Sequence, residues 1–464
     1  MSVDRLTADD QVVLWPDPIW PQDIGAVAVL DGSRLLDPDG RLRLEVVQQA
    51  IAGRLHRAPR FRQLLSVPRR GLGAPLWVDD PTFDLAEHVR VAPLPPPGDD
   101  ASLLHTVAQL RRRRLDRSRP LWEMWFLPGL PDGRVGLFIR MHHVVADGIA
   151  GVATLSAFLE PTADAGTPAA PPWRPRPAPT SGELLVDNAR RHAGQLRRAL
   201  ARLAHQGAAL GQLRAMWPAL REFLPRDGAP VTSLDRMVSA DRTLAVVRAR
   251  MDEVGQIAQA HGATVNDVLL AGTAGGLRAL LSGRGELTDD LVVRVDVPVT
   301  LRPVRQRASA RGNLIAQMVV PLPVGMSDPG RRLKSITAET TVRKARRRPS
   351  LGALLRSRIT RRAVLLLLSR YPVNVATADV PGPGEPVFLA GAQVLEVFPL
   401  LNLIGNQTLA VGALSYAGRF SVMAVADRDT VPDLDTFAAG AQAELRALAA
   451  TAAPVAAGGS AATD

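Results

Sequence analysis

Two neighbouring histidines, followed by an aspartate and a glycine, are the strongest candidates for chemistry in this sequence. Residues 141–148 read Met-His-His-Val-Val-Ala-Asp-Gly. A neutral imidazole near pH 7 can take a proton from a hydroxyl or an amine. The carboxylate of Asp147 can fix the turn or bind a basic partner, and Gly148 lets the chain bend sharply. The segment predicts acid–base chemistry, with a packed, purely structural histidine pair as the open alternative.

A strand and a helix are predicted on either side of this segment. Alternating apolar residues before it predict a strand, and apolar residues at helical spacing after it predict a helix that Asp147 could cap. These residues are Val135, Leu137, Ile139 and Met141 for the strand, and Ile149, Val152, Leu155 and Leu159 for the helix. Adjacent side chains at a strand end point to opposite sides, so one histidine can anchor in the domain while the other faces a cavity. A metal site is less favoured because no third ligand lies nearby in the sequence.

Length and composition exclude several classes of protein. The chain has 464 residues, 46% hydrophobic and 22% charged, which is typical of a globular protein with two domains of ordinary size or one very large domain. The sequence contains no cysteine, so disulfides, Cys-ligated metals and a Cys nucleophile are excluded. The longest apolar run, 363–368, is too short to cross a bilayer, and the acidic start of the chain does not resemble a signal peptide. We expect a soluble or peripheral protein. Its formal net charge of +11 favours an anionic partner.

Composition along the chain predicts two domains and a connecting segment. We assign residues 1–160 to an N-terminal domain, 161–235 to a Pro-rich linker and basic helix, and 236–452 to a C-terminal domain. Residues 453–464 are expected to form a disordered tail. Prolines interrupt all periodicity between 161 and 182, residues 184–224 form a basic helical stretch, and Leu291 to Val297 alternates like a strand.

The histidine segment resembles the HHxxxDG motif of the CoA-dependent acyltransferase superfamily. Further segments resemble the bacterial wax ester synthase/diacylglycerol acyltransferase family, in family order, from about Leu6 to Asp433. They are Leu6-Thr7-Ala8-Asp9-Asp10 with Leu14, Ala58-Pro59-Arg60-Phe61-Arg62, Pro75-Leu76-Trp77-Val78-Asp79-Asp80, the Pro-Leu-Trp motif within 115–123, Asn266-Asp267, Pro298-Val299-Thr300-Leu301-Arg302, Gly312-Asn313, Val380-Pro381-Gly382-Pro383 and Ser415-Tyr416-Ala417-Gly418. One such fragment is weak evidence, whereas this many in order is strong evidence.

The resemblance implies a fold, a reaction and a set of partners. The fold would be α/β (α+β), with two chloramphenicol-acetyltransferase-like domains whose mixed sheets are flanked by helices and enclose an interdomain tunnel. A long-chain acyl group would pass from acyl-CoA, a substrate, to diacylglycerol or a long-chain alcohol, with no resident cofactor and no metal. Lipid substrates imply a cytoplasmic protein at the inner face of the membrane or on lipid droplets. No nucleic-acid partner is expected.

The resemblance also implies roles for the residues of the motif. His143 would be the general base, and His142 a positioning residue. Asp147 and Gly148 would hold the shape of the motif, with Arg302 as a possible ionic partner of Asp147.

Two further motifs are expected to support the site. Asn266-Asp267 coincides with a predicted capping box, with Thr264 as N-cap and Asp267 at the third helical position, so structural and site-supporting roles both stay open. Pro120, Leu121 and Trp122 are expected to pack, although Trp122 could line a lipid channel.

Three residues differ from the family pattern. Val13 stands where Phe is usual, Asp23 where His is frequent, and Asp379 where Asn usually precedes Val-Pro-Gly-Pro. The first two put the substrate's chain length in question more than the chemistry.

Two alternative functions stay open: an acyltransferase with another acceptor, such as a polyketide diol or an amine, and a non-catalytic lipid-binding or lipid-droplet protein. The basic segment 331–362 is a candidate surface for lipid head groups or for coenzyme A phosphates, with a solvated face as the simpler interpretation.

Overall fold

The computed structural model of the chain describes residues 3–145, 155–166, 169–203, 231–300, 315–346, 373 and 375–452. Within these ranges, most strands belong to two mixed sheets. The strands of the first sheet are, in spatial order, β11 (Phe388–Leu389), β12 (Ala392–Leu400), β1 (Asp23–Leu30), β6 (Val135–His142), β5 (Trp122–Pro128) and β4 (Val89–Val91). Neighbours in this sheet are antiparallel except β4 and β5.

The second sheet is built from the later part of the chain. Its order is β7 (Arg242–Arg250), β14 (Arg419–Asp427), β13 (Leu409–Tyr416), β10 (Val375–Pro381), β8 (Val293–Thr300) and β9 (Ile315–Leu322). Strand β10 runs parallel to both β13 and β8. A separate antiparallel pair is formed by β2 (Gln63–Ser66) and β3 (Leu76–Asp79).

Helices flank both sheets. In the described chain they are α1 (Ala8–Val12), α2 (Leu44–Ala52), α3 (Asp100–Arg111), α4 (Ser181–Leu203), α5 (Met251–Ala260), α6 (Val265–Gly283), α7 (Pro329–Lys344) and α8 (Leu434–Ala452). Short 3-10 turns occupy Leu55–Arg57, Pro59–Arg62, Leu85–Glu87 and Pro131–Gly133. None of the helices in the described ranges has the length and apolar composition needed to cross a membrane.

Helix α6 passes through the centre of the second half and packs closely on α8. Its glycines allow this approach: a Cβ added at Gly276 would lie 2.6 Å from the Phe437 ring, and one at Gly275 would lie 2.4 Å from the Cβ of Glu444. Apolar residues of α6 and α8 share one core cluster with the second sheet. The burial of α6 therefore fixes where its N-terminus, which carries Asn266, is presented.

The two halves of the chain are joined by strand exchange and by a shared core. Strand β12 pairs with β1, so the sheet that carries His142 is completed by a segment that the sequence assigns to the C-terminal domain. A further cluster contains Val27 and Phe138 from the first sheet and Met423 from the second. The histidine motif thus lies in a sheet to which both ends of the chain contribute.

The described elements confirm most of the patterns read from the sequence. Periodicity correctly predicted β6 and a helix from residue 184, although that helix is described only to Leu203. Residues 169–180 are extended without regular structure and mostly exposed, as expected for the Pro-rich segment. The strand predicted at Leu291 begins two residues later, because the N–H of Leu291 closes a turn onto Thr288. Residues 149–154 and 204–224 lie outside the described residues.

The basic segment 331–362 is only partly described, and one of its cations is not at the surface. Arg332 is 1% exposed and pairs with Glu444 of α8 at 2.6 Å. Its positive charge is therefore buried in the protein interior, where the buried carboxylate of Glu444 compensates it. The expectation of a surface role fails for Arg332, because its position on α7 faces α8 instead of solvent. Residues 347–362 lie outside the described residues.

Candidate active site

The two histidines lie where β6 ends and turns. His142 is the last residue of β6, and its N–H donates to the carbonyl of Leu121 at 2.9 Å. His143 follows in a turn, and its N–H donates to the carbonyl of Gln22 at 2.7 Å. Hydrogen bonds from the segments before β5 and before β1 therefore hold the backbone on both sides.

The side chain of His142 is buried and held at both ring nitrogens. It is 3% exposed; Nδ1 accepts the N–H of Val144 at 3.0 Å, and Nε2 lies 3.1 Å from Oδ1 of Asp17. An Nδ1 that accepts a hydrogen bond in the neutral ring leaves the proton on Nε2, which then faces the carboxylate. This arrangement suits a residue that shapes the turn after β6.

Asp17 is the partner of His142 that the sequence patterns did not identify. It is 8% exposed, and it accepts the N–H of Gln22 at 2.9 Å and a guanidinium N–H of Arg117 at 2.6 Å. Burial alone would raise the pKa of Asp17, but the contacts with His142, Gln22 and Arg117 outweigh burial and hold the pKa well below its usual range. Asp17 is therefore a carboxylate at neutral pH.

His143 differs from its neighbour in exposure. Its side chain is half-buried, whereas that of His142 is buried. His142 is the more deeply anchored of the two, and the expectation that the other histidine faces a cavity stays a prediction.

Pro120, Leu121 and Trp122 support the histidine turn from inside the N-terminal half. Leu121 and Trp122 are each 1% exposed. The indole Nε1 of Trp122 donates to the carbonyl of Phe61 at 2.9 Å, and its ring stacks on Phe61 at 4.5 Å and on His88 at 4.6 Å. Trp122, the first residue of β5, is thus enclosed by these rings, and the neighbouring Leu121 contributes the carbonyl that holds the His142 N–H.

The predicted capping box at the start of α6 is confirmed. The hydroxyl of Thr264 accepts the N–H of Asp267 at 3.3 Å, and Asp267 accepts the N–H of Thr264 at 2.9 Å. Asp267 is 1% exposed, and its other oxygen accepts the Thr340 hydroxyl at 2.7 Å and lies 3.6 Å from Nζ of Lys344. Asp267 thus links α6 to α7, while Asn266 is half-buried beside it.

A half-buried carboxyl, that of Asp379, lies on β10 at one of the positions that differ from the family pattern. The side-chain carboxyl of Asp379 receives no hydrogen bond from the described residues, and the ammonium of Lys344 acts on it electrostatically. Burial raises the pKa of Asp379 from its ordinary 3.8 to about 6, and the ammonium of Lys344 only partly opposes this effect. The sequence marked this position as unusual but carried no sign of its burial.

Asp23, another position that departs from the family pattern, balances buried cations. Arg111 donates to its carboxylate at 3.1 Å, and Arg140 lies 3.8 Å away. Arg111 also donates to the carbonyl of Leu401 at 2.6 Å, in the segment after β12. Asp23 therefore pairs with Arg111, which in turn links the two halves of the chain through its hydrogen bond to Leu401.

The histidine turn lies at the junction of these halves. Gln22, whose carbonyl holds the His143 N–H, accepts a hydrogen bond from the side-chain amide of Asn402 at 2.8 Å. The site is therefore assembled from both halves of the chain. Asp147, Gly148 and Arg302 lie outside the described residues, so their predicted roles stay predictions.

Comparison with known proteins identifies the family of this chain. The family model described as wax ester synthase/diacylglycerol acyltransferase catalytic domain matches residues 6–269, and the model of the family's C-terminal domain matches residues 311–449. A probable diacylglycerol O-acyltransferase of Mycobacterium tuberculosis (strain H37Rv) is 31% identical over 427 residues, covering 90% of this chain and 89% of the relative.

Solved structures agree with this assignment. The wax ester synthase/diacylglycerol acyltransferase from Marinobacter aquaeolei VT8 is 25% identical, with a TM-score of 0.67, and covers 97% of this chain and 99% of the other. The first condensation domain of the CDA synthetase, 17% identical with a TM-score of 0.61 over 98% of this chain and 97% of its own, shares the fold. The two-sheet α/β architecture matches these neighbours, so the predicted fold class is confirmed. The chain belongs to the wax ester synthase/diacylglycerol acyltransferase family, and it is an acyltransferase.

Proposed function

We propose that the protein transfers a long-chain acyl group from acyl-CoA to a lipophilic hydroxyl, with His143 as general base. The acceptor would be diacylglycerol, a long-chain alcohol or both, as the names of the relatives indicate for those proteins. The observation that supports His143 most strongly is the difference in exposure, because His143 is half-buried whereas His142 is 3% exposed and lies against Val144 and Asp17. His143 is half-buried on a turn whose backbone is held from both sides, so it is the more exposed of the two histidines.

The reaction can be written with these residues alone. The acceptor oxygen attacks the thioester carbonyl as His143 takes its proton, and the tetrahedral intermediate then expels the thiolate of coenzyme A. The imidazolium returns the proton to that sulfur, so an ester and a free thiol leave the enzyme. General-base help of this kind contributes roughly 10²–10⁴-fold to the rate. The sequence contains no cysteine to form an acyl-enzyme thioester, so direct transfer is the simplest route.

Asp17 and Gln22 would contribute through geometry. Asp17 keeps the Nε2–H form of His142, and the free Nδ1 of that form accepts the Val144 N–H that closes the turn. Gln22 ties the same turn to Asn402 in the other half of the chain. These contacts would hold the His143 ring in a narrow range of positions, which matters because small misplacements of a catalytic group cost much of its rate.

We further propose that the protein meets its lipid substrates at a membrane or lipid-droplet surface. The support is the chemistry of the acceptors, which partition into lipid, and the net charge of +11.

Thiol release tests the chemistry directly. Free coenzyme A would be measured from palmitoyl-CoA with hexadecanol, with diacylglycerol or with no acceptor, for wild type, His143→Ala and His105→Ala. His105 is an exposed histidine on α3 and serves as the matched control. We expect acceptor-dependent release by wild type and His105→Ala, and a loss of about 10²–10⁴-fold in His143→Ala.

Other outcomes would redirect the proposal. Release that survives in His143→Ala would exclude that residue as the base. Absence of release with both lipid acceptors would point to a diol or an amine acceptor, or to a protein that binds lipid without catalysis.

A further inference from the structure

Among the described residues, helix α4 contacts the N-terminal half through one face. Leu184 is 7% exposed and packs with Val3 and Leu76. The carboxylate of Asp187 pairs with Arg5 at 2.6 Å, and the side-chain amide of Asn188 donates to the carbonyl of Gly71 at 2.8 Å. These contacts fix the helix on the body of the protein and determine which face points away.

The opposite face carries an apolar stripe in solvent. Leu185 is 57% exposed and Leu196 is 62% exposed, and at 100° per residue the eleven positions between them bring both to the same side. Ala189, also exposed, lies between them on that stripe, and Val186, 48% exposed, lies at its margin. Leucines placed this way are not accounted for by packing within the described chain, because the helix docks through its other side.

Cations border the stripe. Arg190 and Arg197 are exposed and lie on one edge of it, beyond Val186, at about 120–140° from Leu185 on the helix. The acidic side chains described on this helix are directed elsewhere: Glu183 bonds to Thr180 at its start, and Asp187 faces Arg5. The outward face is therefore apolar along its centre and positive along its edge.

We propose that this outward face of α4, defined by Leu185, Ala189, Leu196, Arg190 and Arg197, lies flat on an anionic lipid surface. A long helix with apolar residues on one face and arginines beside them is typical of interfacial helices, whose binding combines apolar burial with attraction to anionic lipids. The charge of the edge matches such a surface. This inference rests on the proposed use of lipid acceptors. Helix α4 would be the element that binds the enzyme to the surface in which those acceptors lie.

The connection between α4 and the histidine sheet is fixed. In the extended segment before α4, Trp173 lies edge-on to Phe83 at 6.3 Å, and Arg176 contacts Asp79 at 3.2 Å. Phe83 stacks in turn on His88, which stacks on Trp122, the first residue of β5. A helix anchored by these contacts would set the orientation of the whole site relative to the bilayer.

Vesicle sedimentation tests the proposal with the full-length protein. Phosphatidylcholine vesicles would be compared with vesicles containing about 30% phosphatidylglycerol, which gives the surface a negative potential. The variants are Leu185→Gln/Leu196→Gln and Arg190→Gln/Arg197→Gln. Val342→Gln is the matched control, because Val342 is 57% exposed on α7, within the basic segment that is the competing candidate.

We expect wild type and Val342→Gln to bind the anionic vesicles equally. The double leucine variant should bind at least tenfold more weakly, and the double arginine variant should lose about fivefold per charge removed. Equal binding by all variants, or a loss confined to Val342→Gln, would overturn the assignment to α4. Wild-type binding that does not depend on phosphatidylglycerol would also overturn the assignment. A wild-type dimer that dissociates in the leucine variant would do the same, because the face would then bind a second copy of the chain.

A second readout separates this inference from the proposed reaction. With acceptor dispersed in detergent, the α4 variants should release thiol at the wild-type rate, whereas acceptor presented in anionic vesicles should be used about tenfold more slowly. If the leucine variant uses vesicle-borne acceptor at the wild-type rate, the proposed role of α4 is wrong, whereas the proposed reaction is unaffected. If the wild type binds vesicles but releases no thiol, the proposed reaction is refuted, whereas the proposed membrane-binding face of α4 is unaffected.

Discussion

Replacing Asp379 by Asn should stabilise the protein at neutral pH. The carboxyl receives no hydrogen bond from the described residues, and burial raises its pKa from 3.8 to about 6. Asn has nearly the same shape, and it is the residue that the family usually carries before Val-Pro-Gly-Pro. The substitution therefore removes a partly buried negative charge while keeping the volume of the side chain.

The expected gain follows from the difference in pKa between the folded and the unfolded chain. A shift of about two units corresponds to about 3 kcal/mol. Because the folded-state pKa of Asp379 is raised, the folded state binds the proton more tightly. The stability that this provides is complete below about pH 4 and is lost as the pH rises through about 6. The gain from Asp379→Asn should therefore approach about 3 kcal/mol at pH 7.5 and fall to about half of that at pH 5.

Urea unfolding of wild type and Asp379→Asn between pH 5 and pH 8 would measure this difference. Asp39→Asn is the control, since the side chain of Asp39 is 75% exposed in a turn before α2. A gain that does not change with pH, or a loss of stability at pH 7.5, would refute the reasoning. The second result would mean that the carboxylate has a stabilising partner in the folded state.

Two further substitutions test buried ionic contacts. Asp17→Asn should lower kcat about 10²-fold with little change in the KM for acyl-CoA, because His142 loses the carboxylate that orients it. The double variant Asp17→Asn/His143→Ala should be no slower than His143→Ala alone, because both substitutions act on the same step. Glu444→Gln should lower the free energy of unfolding by about 3–5 kcal/mol, because Arg332 would remain charged in the core, and Arg332→Met/Glu444→Leu should recover most of it. Additive kinetic losses in the first case, or an unchanged urea midpoint in the second, would contradict these assignments.

Features that depend on neighbours along the chain could be predicted from the sequence. The alternation from Val135 to Met141 predicted β6, and the spacing of Thr264 and Asp267 predicted the capping box, because these hydrogen bonds and periodicities form within a few residues. The family followed from motifs in order along most of the chain, which a linear sequence displays directly.

Features that depend on distant segments were decided by the tertiary structure. Asp17 meets His142 only because the segment before β1 folds against the end of β6, and β12 completes the same sheet from the far end of the chain. Burial likewise distinguishes Arg332 from the other described cations of its segment, and partial burial distinguishes Asp379 from an ordinary surface aspartate. The sequence by itself therefore determined the local elements, the motif and the family. Only the tertiary structure decided the environment of each charge, because solvation and pairing depend on which distant segments pack together.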